Sequence, residues 1–263
     1  MIYAARYDHI YLSPHFDDAA LSCGGMIAAQ TARNQQVLVF TICSGVPPAT
    51  QPFSAFAQYV HTTWNLPPDQ VIQRRLAEDQ AALKCLGADG FYAGLLDAIY
   101  RQPHAYIDNE TLFGQIAAED TLVCDLSAIL VEVALKFPTA IWYAPLGVGH
   151  HVDHCSTYDA ARMLIETGVS MVFYEDFPYV AVPGALQGRL QEIAGAGSLS
   201  SQVVGVEPTI ERKIEAIKAY TSQLEVLFGS VESMAQAVMT YARQVQPQAE
   251  GYAERIWRYS DPI

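Results

Sequence analysis

The sequence is poor in positive charge. Lys and Arg number 15 against 28 Asp and Glu in 263 residues, a formal net charge of −13 and a pI of about 4.8. A nucleic-acid binder shows a basic face or stripe, but basic neighbours here are isolated pairs such as Arg74-Arg75. Nucleic acid and anionic membrane surfaces are therefore disfavoured, and a neutral or cationic small molecule is the easier partner. No apolar run reaches the roughly 20 residues that a membrane helix needs. The stretch Met1–His9 lacks the basic start and apolar core of a secretory signal. Cysteine is sparse and odd in number: Cys23, Cys43, Cys85, Cys124 and Cys155 show no paired spacing. That is no disulfide framework and points to reduced thiols in a cytoplasm. Charged residues are only 16%, below the roughly 25% of an average globular protein, which argues against disorder. Composition leaves a homo-oligomer open.

What is present is apolar sequence, 51% of the chain, enough for one large core. No linker divides it, so a single α/β domain is expected, mainly helical from about residue 208. His9–Leu12 reads as a buried strand, Ala19–Arg33 as a helix and Gln36–Cys43 as a second buried strand. That order makes a parallel βαβ unit. Val71–Leu86 and Leu122–Lys136 read as helices, Phe91–Leu95, Thr139–Ala144 and Ser170–Tyr174 as strands. A helix follows from about Ser156 to Thr167. Pro208–Leu227 and Ser230–Gln246 read as helices, with a last strand near Glu254–Trp257. Val46–Asp69 and Tyr100–Glu119 are irregular, and loops of that length in a compact domain are more often functional lids than disorder. Strands alternating with helices predict a Rossmann-like, doubly wound, mostly parallel sheet with helices on both faces. Ligands of such sheets sit beyond the carboxyl ends of the strands. Attention therefore falls on Ser13–Asp18, Cys43–Val46, Leu95–Tyr100 and Pro145–His154.

Two of these loops are chemically dense. The first holds His15-Phe16-Asp17-Asp18, the second His150-His151-Val152-Asp153-His154. As purely structural features, Asp17 and Asp18 would cap a helix and favour its dipole, and the histidines would line a solvated loop. Together, at one sheet edge, they offer imidazole and carboxylate ligands suited to zinc, whose catalytic sites keep a position open for water. Iron(II), cobalt or manganese suit the same ligands.

Ser-Pro-His-Phe-Asp-Asp followed by Ser-Cys-Gly-Gly resembles the HPDD signature of the PIG-L/LmbE-like deacetylases, with Phe16 in place of the usual Pro. His151-Val152-Asp153-His154 resembles their H-x-D-H signature, Arg75 to Glu78 their R-x-x-E helix, and Gly94 to Asp97 a substrate-facing loop. The likeness spans roughly residues 9 to 165. It implies that His15, Asp18 and His154 bind the metal and that Asp17 is the general base. His151 would face the developing oxyanion or protonate the leaving amine, with Asp153 as an orienting partner of a histidine. Arg75 and Asp97 match positions that contact the sugar or order its loops. Ser44 stands near a position where many relatives carry an acidic substrate-holding residue. The implied activity is removal of an N-acyl group, acetyl above all, from an N-acetylglucosamine-type sugar or conjugate. The alternatives are a metal-bearing sugar-binding or regulatory protein without catalysis, and an amidase acting on a bulkier thiol conjugate.

Other features read as structural. Cys155 is expected to be a buried inert thiol, and His150 to stand outside the H-x-D-H register. Gly147-Val148-Gly149 lacks the third Gly of a dinucleotide loop, since position 152 is Val. Gly24-Gly25 would allow close helix packing. Tyr59, Trp64, Tyr100 and Tyr106 are candidates for local core or for stacking on a sugar ring.

Overall fold

The computed structural model describes residues 6–50, 52–64, 70–246 and 251–259. Met1 to Ala5 of the N-terminal stretch, and residues 51 and 65–69 of the loop read over Val46–Asp69, lie outside the described residues. The chain runs β1 (His9–Ser13), α1 (Asp18–Thr31), β2 (Val37–Thr41), α2 (Ala55–Thr63), α3 (Val71–Leu86), β3 (Asp89–Tyr92), α4 (Ala98–Arg101), α5 (Asn109–Leu112), α6 (Leu122–Lys136), β4 (Ile141–Pro145), α7 (Val152–Ile165) and β5 (Ser170–Tyr174). It continues through α8 (Ala185–Ile193), β6 (Leu199–Gly205), α9 (Ile210–Ile217), α10 (Thr221–Phe228), α11 (Val231–Val245) and β7 (Ala253–Tyr259).

The seven strands form one sheet in the order β3-β2-β1-β4-β5-β7-β6. Strands β1 to β5 are parallel; β7 pairs antiparallel with β5 and with β6. This is the α/β, doubly wound fold read from the sequence, with an antiparallel pair of strands, distant in sequence, closing one edge. All five residues of β1 and of β2 are buried, as expected of strands covered on both faces. Helices α1, α3 and α9 pack together as one layer, and α6 packs against α7 as the other. The order reverses between β1 and β4, whose pairing stops at Tyr11 and Tyr143 before either strand ends, the place where such sheets leave a crevice. Both chemically dense loops leave the sheet at this point.

Local chemistry explains the boundaries. Helix α3 stops at Gly87, whose left-handed φ of 78° lets the Ala88 amide donate to the Leu83 carbonyl at 3.0 Å, the usual glycine stop. Ser54 caps α2 by accepting from the Ala57 amide at 3.0 Å. Helix α7 begins at Val152 rather than near Ser156, because the His151 ring caps it: Nδ1 accepts from the Asp153 amide at 3.2 Å. The stretch read as one helix over Pro208–Leu227 is two helices, α9 and α10. The break lies at Tyr220, whose hydroxyl donates to Asp79 at 2.8 Å. Glu78 then closes the first turn of α10, accepting from the Ser222 amide at 3.0 Å and from the Thr221 and Ser222 hydroxyls at 2.6 Å each. Gly24 and Gly25 do allow close packing: a Cβ on Gly25 would stand 2.8 Å from the Val206 Cβ.

Candidate active site

The crevice between β1 and β4 opens into a cavity of about 270 Å³. Its floor is made by His15, Asp17, Asp18, Arg75, Asp97 and His151, its walls by Trp64, Leu112, Phe113 and Tyr179 among others. The loop after β1 is held by Ser13, whose hydroxyl donates to the His15 carbonyl at 2.6 Å and accepts from the Ala19 amide at 3.0 Å. Phe16 is 1% exposed and sits in an apolar cluster with Phe56, Val71, Tyr100 and Tyr106. Burial thus anchors the loop at Phe16.

His15, Asp18 and His154 converge. Asp18 Oδ2 accepts from the His15 amide at 2.7 Å and lies 3.2 Å from His15 Nδ1 and 3.3 Å from His154 Nε2. Both rings are oriented from behind. His154 Nδ1 meets Asp176 Oδ1 at 2.7 Å, and His15 Nε2 meets Asp153 Oδ2 at 3.1 Å. A carboxylate only accepts, so Nδ1 of His154 and Nε2 of His15 carry the protons. The other ring nitrogens then aim electron pairs at the Asp18 oxygen. His154 Nε2 is sealed from solvent and makes no hydrogen bond. Neighbouring ligands on a tetrahedral ion with bonds of roughly 2.1 Å stand about 3.4 Å apart, close to both separations. The donor set fits a divalent cation.

With no cation, protons take its place. Burial works against a charged His154, but Asp18 and Asp176 outweigh it and lift its pKa to about 9. His15 is likewise raised well above the usual histidine range, against burial, by Asp153 and Asp18. Asp18 is held well below the usual carboxylate range, against burial, by His154 and His15.

Two further donor groupings lie nearby. Nitrogens of His15, His151 and His154 fall within 4.8 Å of one another, as do ligand atoms of His15, Cys43 and Asp153. Neither competes well. Nδ1 of neutral His151 accepts a backbone N–H, which leaves the proton on Nε2 and no lone pair for a metal. Burial, then Asp153, pushes the Cys43 thiol well up, so it stays protonated.

Asp17 points elsewhere. Its Oδ1 accepts from Arg75 NH2 at 3.1 Å, and burial raises its pKa while Arg75 opposes the rise. The Arg75 guanidinium is sandwiched between the Phe16 and Trp64 rings, 5.5 and 5.1 Å from their centroids. Asp97 caps α4 through the Ile99 amide at 3.2 Å and lies 3.5 Å from His15 Nε2. Asp153 is fully buried and lies behind the cavity, accepting from Arg101 NH2 at 2.7 Å and from the Ala98 amide at 3.1 Å. Ser44 is not among the lining residues: its hydroxyl accepts from the Gly94 amide at 2.9 Å and splices the loops after β2 and β3. Gly45 completes that splice, since a Cβ there would stand 2.4 Å from the Gly94 carbonyl oxygen. His150 turns outward, with φ of 64°, to lie 3.4 Å from Glu192. Of the four aromatics, Tyr59 and Trp64 line the cavity, while Tyr100 and Tyr106 are buried core.

Three participants escape the sequence reading. Asp176, behind His154, also accepts from the Val148 amide at 2.9 Å; it lies two residues beyond the end of β5, so the same carboxyl-end rule applied to that strand finds it. Arg101 ties Asp153 to Asp120, whose two oxygens it meets at 2.7 Å each. Tyr179 lines the cavity beside His154. Nothing in the spacing marks either of these last two.

Known proteins match this arrangement. Residues 10–165, more than half of the chain, match the family model described as PIG-L, GlcNAc-PI de-N-acetylase. The chain is 31% identical to a 2′-N-acetylparomamine deacetylase from Niallia circulans, over 84% of this chain and 82% of that one. It is 28% identical to a 1D-myo-inositol 2-acetamido-2-deoxy-α-D-glucopyranoside deacetylase from Corynebacterium glutamicum, over 82% and 75%. A crystal structure of a teicoplanin deacetylase in a zinc-inhibited form superposes with a TM-score of 0.78 at 29% identity, covering 98% of this chain and 100% of that one. The chain belongs to the PIG-L family of de-N-acetylases.

Proposed function

We propose that this protein is a metal-dependent hydrolase that removes the acetyl group from an N-acetylated amino sugar or its conjugate. The observation that carries the reading is the convergence of His15 and Asp18, at the floor of the cavity, with His154 buried just behind Asp18, and with Asp17 lining the cavity outside the ligand cluster. The metal is zinc or iron(II), held by His15, Asp18 and His154. When bound, it polarises the acyl oxygen and makes water a stronger acid at neutral pH.

The chain's own groups do the rest. Asp17 Oδ2 takes the proton from the attacking water while Arg75 holds Oδ1. The ordinary weakness of a carboxylate as a base is offset by burial, which favours the protonated form. His151 presents its Nε2 proton to the cavity as a hydrogen-bond donor to the oxygen that gains charge. Asp17 returns its proton to the leaving nitrogen, so amine and acetic acid depart, and the acid's remaining proton passes to the amine or to solvent to leave acetate. Asp153, through His15, and Asp176, through His154, fix the tautomers that leave electron pairs free for the metal. Arg75 and Asp97 border the sugar. Ser44 acts on the sugar by fixing the neighbouring loops. The single-domain reading and a cytoplasmic setting stand with this proposal; five free cysteines support the latter.

Acetate release from N-acetylparomamine, N-acetylglucosaminyl-inositol and chito-oligosaccharides by zinc- or iron-loaded protein is the test. With the metal retained, Asp17→Asn is expected to lower turnover by about 10³-fold, within the usual reach of a positioned acid–base group. Undiminished turnover would sink the base assignment. No acetate from any of these sugars, with the sugar still bound, would replace the enzyme by a sugar-binding protein.

A further inference from the structure

We propose that the phenol of Tyr179 is a second hydrogen-bond donor to the substrate's acyl oxygen, opposite His151; this rests on the deacetylase reading above. Tyr179 opens the short 3-10 turn Tyr179–Ala181 and lines the cavity together with His151, Asp17 and Asp18. Its ring stands edge-on to His154, centroids 5.7 Å apart, and to Phe113 at the same distance. Phe113 is in turn edge-on to His151 at 5.1 Å. The three rings form one wall that ends at the phenol on one side and at the imidazole on the other.

The phenol is held in place and has nothing in the protein to bind. Among the described residues its hydroxyl makes no hydrogen bond, and it is not one of the sealed, unpartnered polar atoms, so it is open to the cavity. Every other feature of Tyr179 is fixed. The amide of its neighbour Val180 donates to the Asp176 carbonyl at 2.9 Å. The residue that orients His154 therefore also anchors the turn that carries the phenol. Gly149 makes the room: a Cβ there would lie 2.7 Å from the Tyr179 Cβ, and its φ is 90°. Any side chain at 149 would displace the ring.

The chemistry needs such a group. As water adds to the acyl carbon, the carbonyl π pair moves onto oxygen, and collapse returns it to expel the amine. Two donors aimed at that oxygen stabilise the charged stage more than the neutral amide, and so act on turnover rather than on substrate affinity. A phenol keeps its proton at pH 7, and burial, then Asp18 and Asp17, push that of Tyr179 further up, so Tyr179 donates a hydrogen bond throughout and transfers no proton.

Tyr179→Phe keeps the ring and removes only the hydroxyl. In zinc-loaded protein we expect kcat to fall by about 100-fold, the typical cost of one such donor. KM should stay within threefold, with unchanged metal content and an unchanged pH optimum. The independent readout is binding of methylphosphonate, a tetrahedral anion that resembles the charged stage, expected to weaken about 10- to 100-fold in the variant. Turnover within threefold of the original, or a loss confined to KM, overturns the assignment. So does unaltered methylphosphonate affinity, or none in the parent protein. If no sugar yields acetate but Tyr179→Phe still weakens methylphosphonate, the deacetylase reading fails and takes the acyl oxygen with it, while the phenol is upheld as a donor to a tetrahedral anion in the cavity.

Discussion

Asp176→Asn isolates the contribution of the residue behind His154, a metal ligand in the proposed function. In the native protein one oxygen of Asp176 accepts from His154 Nδ1 at 2.7 Å and the other from the Val148 amide at 2.9 Å. Both partners are donors, and an amide has only one acceptor oxygen. If the Asn oxygen faces Val148, its NH2 faces His154 Nδ1. That nitrogen must then surrender its proton, the ring takes the other tautomer, and Nε2 arrives at Asp18 bearing a hydrogen instead of an electron pair. If the oxygen faces His154, the NH2 abuts the Val148 N–H, and the loop from Gly147 to Gly149 loses its tether. The second orientation breaks one buried hydrogen bond, at about 1–3 kcal/mol; the first keeps both bonds but takes from Nε2 the electron pair that a metal needs. Loss of an outer partner of a ligand histidine typically weakens metal binding 10- to 100-fold, which is about 1.4–2.7 kcal/mol; the two estimates agree. The measurement is calorimetric titration of zinc into metal-free protein against a competing chelator at pH 8, with circular dichroism to confirm the fold. A zinc Kd within threefold of the original in a folded variant would refute the claim that Asp176 sets the His154 tautomer.

Metal uptake should depend on pH with a defined sign. The ion-free His154 holds its proton up to about pH 9, and that proton must leave before a cation binds. His15 is raised as well and must also lose a proton, so apparent affinity is expected to rise between about tenfold and about 100-fold per pH unit from pH 6 to 9, and a flat profile would contradict the ligand assignment. Stability should carry an opposite trend from Asp79. This fully buried carboxyl, between the Tyr92 and Tyr220 hydroxyls, is raised by burial to about 7 from 3.8. A raised carboxyl stabilises the fold in acid and loses that contribution as pH climbs through the folded value. Relative to Asp79→Asn, the native protein is expected to lose up to roughly 4 kcal/mol between pH 4 and 8. Urea unfolding at both pH values checks it, and parallel profiles would show that Asp79 is ionised throughout. Arg101→Gln leaves the fully buried Asp153 without its guanidinium; breaking such a pair costs about 3–5 kcal/mol. A melting temperature lowered by less than about 2 °C would show that the pair is not what holds Asp153.

The strands and ligand loops were legible because their signals are local. Val37–Thr41 is a continuous apolar run, and His15, Asp18 and His154 stand where parallel strands end. Helix α3 was readable at both ends because Gly87 marks its stop. What failed to show was set by distant partners. Strand β6, Leu-Ser-Ser-Gln-Val-Val-Gly, is mostly exposed, so it lacks the apolar pattern of its neighbours and exists through pairing with β7. The break between α9 and α10 depends on Tyr220 reaching Asp79 and on Glu78 reaching Ser222, contacts 141 and 144 positions apart. Helix α7 looked shorter because histidine and aspartate read as loop residues, whereas here His151 is the cap. Arg101 serves Asp153 across 52 positions, with no pattern in its own segment to reveal it.

Helix α1, which carries Asp18 into the site, is finished by the far end of the chain. Glu254 on β7 accepts from the Gly25 and Met26 amides at 2.9 and 2.8 Å, across 229 and 228 positions. Lys213 bridges Glu254 at 2.7 Å and the Ser22 carbonyl at 3.3 Å. During synthesis at about 5–20 residues per second, β1 and α1 leave the ribosome first and wait roughly ten to fifty seconds for these partners. Contacts so distant in sequence are slow to form. The proposed ligands His15 and Asp18 are thus made early but set late, and a cation arriving before β7 would meet a half-built helix.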